Sequence, residues 1–470
     1  MHLAPGSPAV KLNLPWIVTF GEYFRLPPGD RARVKEQLAS LHRNGGLSHA
    51  PNYEAQQAPL AYILLALADD ALSSLNLIAR IWALRVLCGS FAAVVTSLAL
   101  LSLAAKLRIP LRFRMPLIFV AMSWQMFYAS TAHICNDWLA VPLMVLLIER
   151  CVAVQENPTL RNQAVAMAIL AAGLLTRAWF LALIPLVAII LVRLAIAGRV
   201  AWKGVAALCG LAIGCCAPWY ARNLRLYHDL SGMQQAVGGN SLPLIVGSAG
   251  RVPWLRSLKQ LTFSSVWTGN SSFTSFSVVT ISLLLFGLFI AGGAYAFGLF
   301  RRRGQIPATE WIVLAGCALY GSALIYSTAL VYSSTSGAFV STLPWYTQPL
   351  IPILLTLCFA GLSRAGKAGT AVGICLIWLS AYVIVATYWA KFLPLYGGFP
   401  GNRTTLASLF KWYAGDTAKI QANLSTTAMI DPRFILLLLL AQAALATGIP
   451  VLMAAKTSQL ALTASTRSRR

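Results

Sequence analysis

A chain of 470 residues that is 58% hydrophobic and only 11% charged, with a mean hydropathy of +0.69, lies far outside the balance of a water-soluble domain. Its 37 Lys and Arg against 13 Asp and Glu leave a net charge of +24, and most of the basic residues fall in short turns between apolar runs, which favours an anionic membrane surface over nucleic acid as the partner. The nine Cys lie in or beside apolar segments without CxxC spacing and read as small packing residues, so neither a Cys-held metal site nor a disulfide framework is expected; no cofactor is called for, a divalent metal staying open.

A membrane span needs about 20 apolar residues to cross about 30 Å of hydrocarbon. In chain order the candidates are 78–105, 115–132, 135–153, 163–175, 178–196, 203–220, 276–300, 311–332, 343–362, 368–390 and 433–455. The run 163–196 is divided because one helix there would be about 51 Å long, and Thr176-Arg177 interrupts it. The expected fold is an all-α polytopic membrane protein of about eleven transmembrane helices.

Positive charge marks cytoplasmic turns. Alternating sides from the first span puts Lys106, Arg108, Arg112 and Arg114 inside, then Arg150 and Arg161, Arg193 to Lys203, Arg301-Arg302-Arg303, Arg364 and Lys367, and finally the basic tail 456–470. The other side receives 1–77 and two long polar connections, about 221–275 and 391–432. An outer segment as long as 1–77 has no preceding span to carry it across, so a first span upstream is expected, which would make twelve. Within it, "AQQAPLAYILLALADD" has about 12 apolar positions, too few to span, and is expected to lie along the interface.

Carboxylates are few enough to place one by one. Glu149, Glu156 and Glu310 fall inside beside basic residues, where surface pairing accounts for them; the rest fall outside. Asp137, in "HICNDWLA" with Asn136, stands between two apolar spans. Turn formation and helix capping alone would explain an Asn-Asp pair, but an ionic group at membrane depth is by default a candidate for function. Glu54, followed by Gln56 and Gln57, either favours the dipole of the next helix or faces an aqueous cleft that this helix walls. After the Trp219-Tyr220 pair come Arg222 and Asn223; an Arg just outside the bilayer either snorkels to phospholipid headgroups or holds a lipid phosphate bidentately, and Arg80 at the start of the first span has the same two readings.

Several of these segments, in order over roughly residues 50–360, resemble the GT-C fold, the multi-span glycosyltransferases that use polyprenyl-phosphate sugars, among them protein mannosyltransferases and aminoarabinose transferases. "NYEAQQAPLAY" is similar to the family's "HxPPLYY"-type segment, "LIARIWALRVL" to its Arg-containing next span, "CNDWLA" to its second acidic motif, "LLTRAWFLALIP" to its broken helix pair, "APWYARNLRLYHD" to "WYxRNxxxYG", and "LPWYTQPLIPIL" to a late aromatic-Pro span. Departures are plain: no Asp-Glu pair exists anywhere in the chain, Gln56 stands in place of the usual His, Ala58 of a Pro and Ala61 of a Tyr.

The resemblance implies transfer of a sugar from a polyprenyl-phosphate carrier to a glycan, lipid or protein acceptor, with inversion at the anomeric carbon, on the outer face of the cytoplasmic membrane. It implies Asp137 and Glu54 in base work or acceptor binding, Arg222 and Arg80 on the lipid phosphate, and Gln56, Gln57, Asn136, Asn223 and Tyr346 around the cleft. A metal is not required if Arg neutralises the developing charge. No Gly-rich phosphate loop is visible for a nucleotide donor. The rival is a multi-span transporter or flippase, which repeated halves would favour; a non-catalytic relative that binds polyprenyl lipid is the third reading. Outer connections of about 55 and 40 residues are longer than transporter loops generally are and favour the transferase.

Overall fold

The computed structural model describes residues 26–40, 56–232, 242–267, 276–302, 305–399, 405–427 and 430–467, and every regular element among them is helical. Helix α1, Pro28–Ser40, precedes the short α2, Leu60–Ala71. Helix α3, Leu77–Lys106, starts where the Asn76 side chain accepts the Ala79 N–H at 2.9 Å and ends on Lys106, a cation at the negative end of the helix dipole. Helices α4, Leu111–Met122, and α5, Gln125–Thr131, lead into α6, Asp137–Glu156, and α7, Leu160–Leu174. A 3-10 turn, Ala178–Leu183, continues into α8, Ile184–Ile196, and α9 runs Trp202–Tyr227.

The second half holds α10, Leu242–Ala249; α11, Trp254–Val266; α12, Val278–Arg301; and α13, Ala308–Ser334. A 3-10 turn, Pro344–Thr347, precedes α14, Ile351–Arg364. Helix α15, Gly366–Ala386, passes through a widened π turn, Thr387–Phe392, into α16, Leu393–Gly397. The chain closes with α17, Leu406–Gly415, α18, Thr417–Thr427, and α19, Pro432–Arg467.

Each of the eleven apolar stretches coincides with helix, but among the described residues only seven helices are long and apolar enough to cross a membrane: 77–106, 178–196, 202–227, 278–301, 308–334, 366–397 and 432–452. The expected count of eleven is therefore not reached by length and composition. Stretch 115–132 is two helices that part at Ser123-Trp124, and neither spans alone. Stretches 163–175 and 343–362 are the shorter apolar helices α7 and α14. Stretch 135–153 is the 20-residue α6, which carries Asp137, Glu149 and Arg150.

Helix α6 is the axis of the molecule. It is buried along nearly its whole circumference, from Asp137 through Val154, as expected of a helix that is apolar on every side. It packs most extensively on α3, then on α7 and α13. A second group forms around α12, α14 and α15, where Gly361 lets two backbones touch: a Cβ there would stand 2.5 Å from the Tyr295 nitrogen and 2.7 Å from the Ala291 oxygen. At one end, α1 meets the 393–427 region, with Lys35 Nζ donating to the Ser425 carbonyl at 2.6 Å and Arg31 Nη2 to Asn423 Oδ1 at 3.3 Å. Helix α2 is short, as expected, and is tied down by the Leu60 N–H on the Leu175 carbonyl at 2.8 Å.

Candidate functional site

The break between α7 and the 3-10 turn falls where the sequence places it. Arg177 is extended, at φ −157° and ψ 135°, so its side chain leaves the helical path between two apolar helices. Asp137 lies in the first turn of α6, where the helix dipole favours a carboxylate. The two meet. Arg177 Nη1 donates to Asp137 Oδ1 and, at 2.6 Å, to Asn136 Oδ1; Asn136, Asp137 and Arg177 are each at most 6% exposed.

Asn136 does not cap its helix with its side chain. Its Nδ2 donates instead to Gln57 Oε1 and to the Thr176 carbonyl, both at 3.3 Å. The Asn-Asp pair is thus spent on contacts 40 and 79 residues away in sequence rather than on its own turn. Next door, Gln56 offers its backbone carbonyl to Asn223 Nδ2 at 3.0 Å, and Asn223 Oδ1 accepts from Arg222 Nη1 at 3.2 Å. The Arg222 guanidinium sits 4.7 Å over the Trp219 ring and 5.8 Å over Tyr227. A bonded path therefore runs from Asp137 through Asn136, the Gln56-Gln57 pair and Asn223 to Arg222.

Gly232 closes this path from the connection after α9. Its φ is +60°, and a Cβ would fall 2.6 Å from both Asn223 Nδ2 and the Gln56 carbonyl oxygen. The preceding turn is held by Asp229, whose Oδ1 accepts the Gly232 N–H at 2.8 Å and the Ser231 hydroxyl at 2.5 Å.

On its other side Arg177 lies 4.5 Å from the centre of the Tyr346 ring. Trp179 stacks on Tyr320 at 5.6 Å and tilts against Tyr346 at 4.8 Å, while the Tyr320 hydroxyl donates to the Tyr346 carbonyl at 3.0 Å. The ion pair is thereby walled by three aromatic rings. Cys135 stands beside it, its Sγ donating to Asp137 Oδ2 at 3.6 Å. The Arg177 Nε is buried and meets no acceptor among the described residues, an orphan donor of the kind that marks a place for an anion or a water.

An apolar cleft of about 330 Å³ opens beside this cluster, lined by Trp254, Leu258, Leu261, Leu324, Ile351 and Leu354, among others. Thr347, the neighbour of Tyr346, forms part of its wall. Two bonds fasten α11 over it: Gln348 Nε2 and Trp124 Nε1 both donate to the Ser265 carbonyl, at 3.0 and 2.5 Å.

Of the residues expected around the site, Asn136, Asp137, Gln56, Gln57, Arg222, Asn223 and Tyr346 are joined through these contacts. Arg80 is not: it is buried, and its Nη1 pairs with Asp69 Oδ2 at 3.5 Å, away from the bonded path. Glu54 lies outside the described residues. In the sequence Arg177 reads as an interruption of an apolar run, and a lone Arg between two apolar helices is the signal that marks it as a site residue. Among the described residues no three His, Cys, Asp or Glu side chains gather as a metal site would require.

No protein-family model matches the sequence, and no curated protein matches it. Among solved structures, ArnT from Cupriavidus metallidurans in the apo state is similar at a TM-score of 0.43 and 12% identity, over 92% of this chain and 71% of that one.

Proposed function

We propose that this protein moves a sugar from a polyprenyl-phosphate carrier to an acceptor at the outer face of the cytoplasmic membrane. The observation that carries the reading is the buried Asp137–Arg177 pair, joined through Asn136, Gln57, Gln56 and Asn223 to Arg222 at a helix end. A buried carboxylate paired with a guanidinium, beside a further cation and an apolar cleft, suits a substrate with a phosphate at one end and a hydrocarbon tail behind it. The apolar cleft next to Tyr346 would take part of the tail.

In this reaction the acceptor hydroxyl oxygen attacks the anomeric carbon while the bond from that carbon to the phosphate oxygen breaks, and the electron pair leaves with the lipid phosphate. Arg222 stabilises the charge that develops on the phosphate. The hydroxyl proton passes to a carboxylate, Glu54 or Asp137. Because Asp137 already bonds Arg177 and Cys135, its share is to orient the acceptor and hold Arg177 in place, which makes Glu54 the stronger candidate for the base. Gln56, Gln57, Asn136, Asn223 and Tyr346 shape the cleft.

The test is transfer of radiolabel from a polyprenyl-phosphate sugar by the full chain in proteoliposomes. Glu54→Gln and Asp137→Asn, each verified to unfold cooperatively, are expected to slow transfer by about 100-fold or more. Undiminished transfer by both variants would remove the site assignment, and donor-independent export of a solute would identify a transporter instead.

A further inference from the structure

At the far end of α6 from Asp137 a second, polar cavity of about 670 Å³ opens between the ends of α3, α6, α13 and α14. Nineteen steps along α6 place the two ends about 28 Å apart. The cavity wall carries Lys106, Arg108, Arg302 and Arg364 against Glu156 and Glu310, four cations to two carboxylates.

Glu310 has little left to offer an incoming cation. It is 3% exposed, and its two oxygens accept from Arg302 at 3.1 and 3.0 Å, from Arg364 at 2.6 and 3.3 Å and from the Tyr295 hydroxyl at 2.9 Å. Two guanidiniums on one carboxylate leave that group with net positive charge. Lys106 is only loosely held, 3.4 Å from Glu149, whose oxygens already serve Arg150 and Ser102. Arg108 is exposed, sits in left-handed backbone at φ +56°, and has no side-chain partner among the described residues. Ala308 and Thr309, in the first turn of α13, also line the cavity, and N–H groups in a first turn have no partner within their helix.

Cationic side chains therefore outnumber carboxylates on the cavity wall, and one of the two carboxylates, Glu310, is already taken up by Arg302, Arg364 and Tyr295. We propose that it binds a phosphate ester, held by Arg108, Lys106 and the first turn of α13, with the Arg302–Glu310–Arg364 group as a rigid, net cationic floor. Basic pockets between helix ends favour anionic headgroups over zwitterionic ones for the same reason. A phosphate ester could arrive as the headgroup of an anionic lipid or as a free phosphate. None of this rests on the sugar-transfer reading, because no residue is shared between the two sites.

The experiment follows thermal unfolding of the full chain in detergent micelles doped with phosphatidylglycerol or, as control, phosphatidylcholine, and separately titrated with inorganic phosphate. The comparison is with Lys106→Gln/Arg108→Gln, which leaves Glu149 its bonds to Arg150 and Ser102. Apparent affinity for the stabilising probe is expected to fall roughly fivefold per charge removed, about 25-fold for the pair. Stabilisation by phosphatidylglycerol alone assigns the lipid source; stabilisation by inorganic phosphate as well assigns a free phosphate. Identical titrations for wild type and variant, or no stabilisation of the wild type by either probe, would overturn the proposal. Arg108→Gln alone, at an exposed and unbonded side chain, keeps the test readable should the double variant fold poorly.

Discussion

Asp137 and Arg177 show how a pair of charges can be affordable inside an apolar bundle. Both are desolvated; Arg177 is compensated by Asp137 and Asn136, and Asp137 by Arg177 and Cys135. Removing one partner leaves a buried charge alone, so Arg177→Met and Asp137→Leu are each expected to destabilise the protein by about 3–5 kcal/mol. Combining them should restore much of the loss, because a neutral, well-filled pair no longer strands a charge; thermal unfolding of the two single variants and the double variant measures this. The same environment makes Cys135 a slow thiol. Part-buried against the Asp137 carboxylate, it should alkylate with N-ethylmaleimide at neutral pH far more slowly than an exposed thiol introduced at the helix start by Lys367→Cys, and rapid, equal labelling of the two would contradict the geometry. At this scale the sequence disclosed one side of the pair only. Scarce carboxylates could be enumerated and Asp137 stood out, whereas Arg177 was one basic residue among many, and nothing local ties it to a partner 40 positions away.

Elements were more legible than contacts. Hydropathy located every long apolar helix, and the polar pair Thr176-Arg177 marked a true break. The break at Ser123-Trp124 was hidden because no Gly or Pro marks it; there Trp124 turns to bond Ser265, 141 residues on, a tertiary contact that periodicity cannot carry. Helix-to-helix spacing gives a further prediction. Gly361→Ala drives a methyl into the backbone of α12 at Tyr295 and Ala291, and should cost about 1–3 kcal/mol in unfolding measurements. Gly232→Ala should instead strike the site: the added methyl, at positive φ and against Asn223 and Gln56, is expected to lower transfer activity more than it lowers the unfolding temperature. Equal losses of both would assign Gly232 to stability alone.

At the scale of the whole molecule, the buried ion-pair clusters among the described residues lie at two ends of a helical bundle. One end holds the Asp137–Arg177 pair and its path to Arg222; the other holds the Glu149 and Glu310 clusters with their basic partners. The charge pattern of the turns predicts that the Glu310 end faces the cytoplasm. In intact spheroplasts, with the exposed Cys215 and Cys375 replaced by Ala, a membrane-impermeant maleimide should therefore label Arg225→Cys and spare Lys367→Cys. The reverse pattern would invert the topology and remove the outward-facing site. The all-helical membrane architecture could be read from composition and run lengths because the bilayer constrains both so tightly, whereas the number of crossings could not, since charged α6 and the short α7 and α14 owe their place to packing.

One end of the bundle is proposed to bring a lipid phosphate against Arg222 and its tail into the apolar cleft beside Tyr346. Photocrosslinking of the full chain in proteoliposomes with a diazirine-bearing polyprenyl phosphate, followed by peptide mapping, tests it most directly. Adducts in 219–227, 254–266 and 344–354 that are competed by unlabelled polyprenyl phosphate are the predicted result. Competed adducts confined to other segments, or labelling that excess polyprenyl phosphate does not displace, would contradict it.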